Sequence, residues 1–138
     1  MRDSSVFNCN IIELNKFPNR RAGNITVVEG NRSMPFDINR VYYLYDVPAD
    51  EERGGHAHKE LYQMIIAASG SFNIKLDDGK TKRTFFLNHP NQALLIIPGI
   101  WRELNDFSSG SVCLVLASML YDAGDYIRDY SEFLNYKK

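Results

Sequence analysis

Two histidines one residue apart carry the most chemical information in this chain. His56 and His58 lie in the run RGGHAHKELYQ and are two of only three histidines in the sequence. Residues two apart on a strand point to one face, so the two imidazoles share a surface. An imidazole with a pKa of about 6.5 takes up and releases a proton at neutral pH, which suits acid–base catalysis. The same pair also begins many metal sites. A metal asks for further ligands, commonly a carboxylate and another histidine. At the spacing such barrel sites use, the carboxylate would fall at Gln63 and the later histidine within Trp101–Asn105, where WRELN has none. His89, in NHPN, reads as a turn or surface residue. A third reading is structural, with one imidazole hydrogen-bonded and the other exposed. Gly54 and Gly55 precede the pair and permit unusual backbone angles or close ligand approach. Arg53, just upstream, offers a fixed positive charge.

Stepping outward from these residues, the chain is a series of short β-type runs divided by turn residues. CNIIEL, NITVVEG and INRVYYLYDV come first. HAHKELYQMIIAASG is long enough for a hairpin kinked near Lys59. SFNIKL and KRTFFL flank Asp77-Asp78-Gly79, the strongest hairpin signal present. QALLIIPG and SVCLVLASM complete the set, and DYIRDYSEFLNYKK reads as a short helix or docking tail. Many short strands at near-regular spacing predict an all-β sandwich or closed barrel, whose mouth is a natural concave site.

With 138 residues and 44% hydrophobic content, the chain suits one globular domain spanning residues 1–138. No apolar run approaches a membrane span, and the opening MRDSSVFNCN lacks a signal-peptide core, so a cytoplasmic protein is expected. A net charge of −1 without a basic stripe argues against a nucleic-acid polymer as partner. Cys9 and Cys113 have no metal-type spacing and are expected to be reduced.

Taken together, RVYYLYDV, RGGHAHKELYQ, LDDG, PGIWRELNDFSSGSVCLVLAS and YDAGDYIRDYSEF resemble one family, the bacterial dTDP-4-keto-6-deoxyglucose 3,4-ketoisomerases, a WxcM-like branch of the cupins. The resemblance runs from about Asn24 to Phe133 and implies a cupin jelly-roll β-barrel with a short C-terminal tail. It further implies a metal-independent, cofactor-free isomerase that moves the keto group of a dTDP-linked 6-deoxyhexose from C4 to C3. Its product would feed amino-sugar synthesis for surface polysaccharide, and the enzyme would be a homodimer with exchanged strands. His56 and His58 inherit the proton transfers, and Tyr43 and Arg53 line the site. The family commonly shows Trp-His-Glu-Met-His-Asp-Phe where this chain has Trp101-Arg102-Glu103-Leu104-Asn105-Asp106-Phe107.

On that resemblance, His58 is expected to be the base that takes the C3 proton, with His56 orienting it or relaying protons. Tyr43, Arg53 and Arg102 are candidate donors to the developing oxyanion. Trp101, Arg102, Glu103 and Asn105 are expected at the substrate, Trp101 by stacking on the base or else as a core residue. Arg128, with Arg20 or Arg21, is a candidate for the pyrophosphate, the alternative for each being a solvated surface charge. Tyr121, Tyr126 and Tyr130 are expected to pack the tail. The competing function is a non-catalytic nucleotide-sugar-binding cupin, since Arg102 and Asn105 stand where the family has histidines.

Overall fold

The computed structural model describes residues 1–53 and 55–138; Gly54, half of the Gly pair singled out above, lies outside the described residues. In chain order the strands are β1 (Ile11–Glu13), β2 (Asn15–Asn19), β3 (Gly23–Val27), β4 (Arg40–Tyr45), β5 (Arg53–His58) and β6 (Gln63–Ser69). They continue with β7 (Phe72–Asp77), β8 (Lys82–Leu87), β9 (Gln92–Ile96), β10 (Trp101–Asn105), β11 (Val112–Ala117) and β12 (Tyr126–Ile127). A single helix, α1 (Tyr130–Lys137), closes the chain, capped by the Asp129 carboxylate on the Ser131 N–H.

Ten of these strands form two five-stranded antiparallel sheets, ordered β1-β9-β6-β11-β4 and β12-β5-β10-β7-β8. The sheets face each other as a double-sheet jelly roll. Hydrogen bonding therefore runs within two sheets and not continuously around one barrel. β2 and β3 form a separate two-stranded hairpin. The run from His56 to Gly70 is not a hairpin. Its first part is β5 and its second part β6, and these belong to opposite sheets, so the kink near Lys59 is a crossover. The Asp-Asp-Gly signal is a true hairpin joining β7 to β8: Asp78 accepts the N–H groups of Lys80 and Thr81. Gly70, at φ +70°, makes the tight passage from β6 to β7, where a Cβ would stand 2.8 Å from Ser111 Cα.

The two-residue period sorts every strand between an inner and an outer face. On β6, Ile65 and Ala67 join the main core between the sheets, whereas Met64 and Ile66 pack outward with Leu14, Met34, Phe36 and Leu116. On β4, Tyr42 and Leu44 face the main core, whereas Val41, Tyr43 and Tyr45 are more than half exposed. On the second sheet Phe72, Ile74, Leu76 and Leu104 point inward. Trp101, Ala57 and Ile127 point outward and are covered by Phe133 of α1. Each fully buried Leu, Ile or Phe contributes about 1.5–3 kcal/mol, so both faces of the central strands are anchored by burial.

Candidate active site

The polar residues that interrupt this inner face define the site. On β5, Ala57 turns out into the Trp101 cluster, so His56 and His58 turn in. His58 is wholly buried. Its Nδ1 lies 2.9 Å from Asp125 Oδ2, and its Nε2 lies 3.1 Å from His56 Nε2. The second oxygen of Asp125 accepts the Glu60 N–H at 2.7 Å. Backbone contacts fix the dyad from both sides: Gly99 N–H donates to the His58 carbonyl, and Lys59 N–H to that of Asp125. A 3-10 turn over Ala123–Asp125 and the pairing of Tyr126 with His58 bring Asp125 into place. The Tyr126 ring leans over both imidazoles, at 5.1 Å and 4.4 Å between centroids.

Proton positions follow from what each group is able to donate. Burial holds the His58 imidazole far below its usual pKa, and the positive charges of Arg102, Arg40 and Arg128 and the neighbouring His56 reinforce this. His58 is therefore neutral. Burial also raises the Asp125 carboxyl, with the N–H groups of Glu60 and Leu61 opposing it. An Asp125 carboxylate accepts, so His58 carries its proton on Nδ1 and presents a lone pair at Nε2. That lone pair requires His56 to donate from Nε2.

A second chain starts beside the histidines, where Arg102 is in register with His56, and crosses to the other sheet. Arg102 is fully buried on β10 and donates through Nη1 to the side-chain oxygen of Gln63 on β6. Its Nε and Nη2 donate to the Ile100 carbonyl. Gln63 in turn donates from Nε2 to the Tyr42 hydroxyl at 3.0 Å. The Arg40 guanidinium stands 5.3 Å from the Tyr42 ring centroid and 5.6 Å from that of Tyr121. Arg40 Nε is buried and has no partner. Among the described residues the ion pairs are Arg32–Glu29 and His58–Asp125, so Arg40 and Arg102 meet no carboxylate. Burial lowers Arg102 to about 10, which leaves it charged at neutral pH. Two guanidiniums that meet no carboxylate among the described residues, one of them with an unsatisfied N–H, make this interior a receptor for an anion.

The structure separates the expected site residues by face. His56, His58 and Arg102 come together. Tyr43 does not join them: it lies on the exposed face of β4, and its neighbour Tyr42 takes the inner position. Trp101 packs edge-on against Tyr130, with ring centroids 5.3 Å apart, beneath α1, so it is a core residue and not a base-stacking one. Glu103 and Asn105 share the outward face of β10 with Trp101 and are likewise removed from the histidines. Between Arg102↔His56 and Leu104↔Arg53 the register shifts. Arg53 is exposed at the rim, in a groove of about 550 Å³ shared with Tyr43, Tyr45, Glu51 and Glu52. Arg128 is exposed, with its guanidinium 4.1 Å from the Tyr126 ring centroid, and Arg20 and Arg21 sit on the exposed β2–β3 turn. Tyr126 belongs to the site, while Tyr130 does pack the tail.

Asp125, Arg40, Tyr42, Gln63 and Tyr126 are site residues that the sequence reading missed. For Tyr42 a signal existed: it shares a strand face with Leu44 and Arg40. Asp125 is 67 positions from His58 and has no local signature. Gln63 stands where the spacing of metal sites would put a carboxylate, and the inward residue of the Trp101–Asn105 stretch expected to hold a histidine is Arg102, whose guanidinium has no lone pair to give a metal. A larger cavity of about 780 Å³ lies elsewhere, lined by residues 2–5, the 78–81 turn and the C-terminal residues. Chemistry, not volume, marks the histidine wall.

Comparison with known proteins identifies the family. Residues 7–138 match the family model described as WxcM-like, C-terminal. The TDP-4-oxo-6-deoxy-alpha-D-glucose-3,4-oxoisomerase of Aneurinibacillus thermoaerophilus is 44% identical over 114 residues, 83% of this chain and 82% of that protein. Among solved structures, a histidine-to-asparagine variant of the 3,4-ketoisomerase QdtA from Thermoanaerobacterium thermosaccharolyticum, in complex with TDP-4-keto-6-deoxyglucose, superposes with a TM-score of 0.91. It is 40% identical and the match covers 95% of this chain and 94% of that one. The WlaRB TDP-quinovose 3,4-ketoisomerase from Campylobacter jejuni gives a TM-score of 0.87 at 46% identity, over 93% and 98% of the two chains. A jelly roll with an Asp–His–His chain on its inner face, matched along almost its whole length by these relatives, belongs to the WxcM-like family of sugar-nucleotide ketoisomerases.

Proposed function

We propose that this chain is a TDP-sugar 3,4-ketoisomerase that moves the carbonyl of a TDP-4-keto-6-deoxyhexose from C4 to C3 by acid–base catalysis. The observation that carries the reading is the Asp125–His58–His56 chain, set opposite Tyr42 in an interior that holds the buried Arg102 guanidinium and the half-buried Arg40. The relatives named above act on such substrates, and one was captured with TDP-4-keto-6-deoxyglucose after loss of a histidine.

The tautomers support His56 as the base, where the family resemblance pointed to His58. Both nitrogens of His58 are engaged inside the protein, and His56 is the half-buried outer member. His56 Nδ1 takes the proton from C3, and the electron pair forms the C3–C4 double bond of an enediol. The C4 oxygen gains a proton as its carbonyl is lost, and Tyr42 stands as its donor. Return of a proton to C4 and loss of the C3 hydroxyl proton then give the 3-keto isomer. Atoms and electrons balance without an oxidant or a resident metal. As His56 becomes cationic, its Nε2–H donates to His58, whose Nδ1–H bond to Asp125 strengthens in turn. Arg40 and Arg102 stabilise the developing negative charge, and Arg40 with Arg128 suits the pyrophosphate.

We also infer a homodimer. The β2–β3 hairpin stands off both sheets with Phe17 and Ile25 more than half exposed, and the edge strand β4 displays Val41, Tyr43 and Tyr45. Such edges and apolar patches are usually covered by a partner. Light scattering that gave a monomer at micromolar concentration would refute this.

The test of function is proton NMR of the protein with TDP-4-keto-6-deoxyglucose in deuterium oxide. Signals of the 3-keto isomer, with deuterium at the exchanged carbon, are expected. Binding of the nucleotide sugar without exchange would instead make the chain a non-catalytic binding cupin.

A further inference from the structure

The Arg102–Gln63–Tyr42 chain does more than fill the wall, because its polarity is dictated from one end. A guanidinium only donates. The Gln63 atom that meets Arg102 must therefore be the amide oxygen, which settles an orientation that amides otherwise leave open. The NH₂ end is then turned to Tyr42, 3.0 Å away, and it has only hydrogens to offer. The Tyr42 oxygen accepts, so its own hydrogen cannot point at Gln63. Tyr42 is a site residue whose O–H donates to no described group. Burial also raises the Tyr42 phenol above its usual pKa, so the proton is retained.

We propose that Gln63 is a positioning residue that, held by Arg102, turns the Tyr42 O–H toward the substrate oxygen. This rests on the ketoisomerase reading, in which Tyr42 supplies the proton or hydrogen bond to the C4 oxygen. The Gln side chain is required for a sign, not a shape. A glutamate at the same place keeps the length and the bond to Arg102, but it accepts from both neighbours. It would capture the Tyr42 hydrogen and turn a lone pair toward the substrate instead.

The test compares Gln63→Glu and Gln63→Met on TDP-4-keto-6-deoxyglucose, with thermal unfolding measured in parallel. Gln63→Glu is expected to fold and to lower kcat by about 100-fold, the range for losing one oriented donor, with KM little changed. Gln63→Met leaves the Tyr42 hydrogen unsteered but not captured, so kcat should rank wild type above Gln63→Met above Gln63→Glu. A merely structural role reverses that order, because only glutamate preserves the partner of Arg102. In a Tyr42→Phe background the Gln63→Glu change should have no further effect, since the two act as one unit. Wild-type kcat in Gln63→Glu, the reversed order, or an undiminished loss in the Tyr42→Phe background would each overturn the inference. Absence of turnover in the wild type would instead overturn the functional reading beneath it. If Gln63→Glu does not fold, Gln63→Met decides alone: a kcat equal to wild type refutes the role.

Discussion

Asp125→Asn is the sharpest perturbation of this site, because it changes one atom and should invert a chain of protons. The Glu60 N–H, 2.7 Å from Asp125 Oδ1, demands an acceptor. An asparagine must keep its oxygen there, which turns its NH₂ toward His58 Nδ1. His58 then shifts its proton to Nε2 and donates to His56. His56 accepts at Nε2 and carries its proton on Nδ1, so the base is blocked. Turnover should fall by about 10²–10⁴, the range for a base lost or held in the wrong tautomer. That is roughly 3–5 kcal/mol on the barrier. The fold should survive, because the replaced hydrogen bond to a charged group contributes only about 1.5–3 kcal/mol. Initial rates by proton NMR give turnover, and ¹⁵N chemical shifts of the two imidazoles report the tautomers directly. An Asp125→Asn protein with near-normal turnover, or with imidazole shifts unchanged, would refute the reasoning.

Three further outcomes follow from the same geometry. Tyr42→Phe should lower kcat by about 10²–10³ as an oxyanion donor is lost, whereas Tyr43→Phe, on the exposed face, should leave it unchanged; equal effects in steady-state assays would contradict the assignment of faces. Buried His58 has its pKa depressed below the unfolded value of 6.5, so the unfolded chain takes a proton that the native state refuses. Stability is therefore full above about pH 6.5 and declines below it, by about 1.4 kcal/mol between pH 7.5 and 5.5. Calorimetry should show the midpoint falling by about 5 °C over that interval, and the slope vanishing in His58→Gln. Gly70→Ala should destabilise by about 2–3 kcal/mol in denaturant titration, since the left-handed backbone and the contact with Ser111 both oppose a Cβ.

The membership of His56 and His58 in one face was legible because a strand repeats every two residues, whatever surrounds it. The Asp-Asp-Gly hairpin was legible for the same kind of reason: its hydrogen bonds close within four residues. So was the all-β composition, while the terminal run, legible only as a short helix or a docking tail, is the helix α1. The two-residue period tells which residues travel together but not which set faces inward, so Tyr43 was favoured over Tyr42, and Trp101, Glu103 and Asn105 were grouped with Arg102. That choice was made by burial. Leu44 and Leu104 enter the core between the sheets, carrying Tyr42 and Arg102 with them, while Phe133 covers Trp101 from outside. Asp125 reaches His58, 67 residues away, only when β12 pairs with β5, and Gln63 reaches Arg102, 39 residues away, only when the two sheets face each other. Tertiary structure also set the two histidines apart, which is what supports the proposal of His56 as the base. Sequence shows two equivalent imidazoles, but only one of them can be desolvated against Asp125, and that burial fixes the direction in which every proton in the chain points.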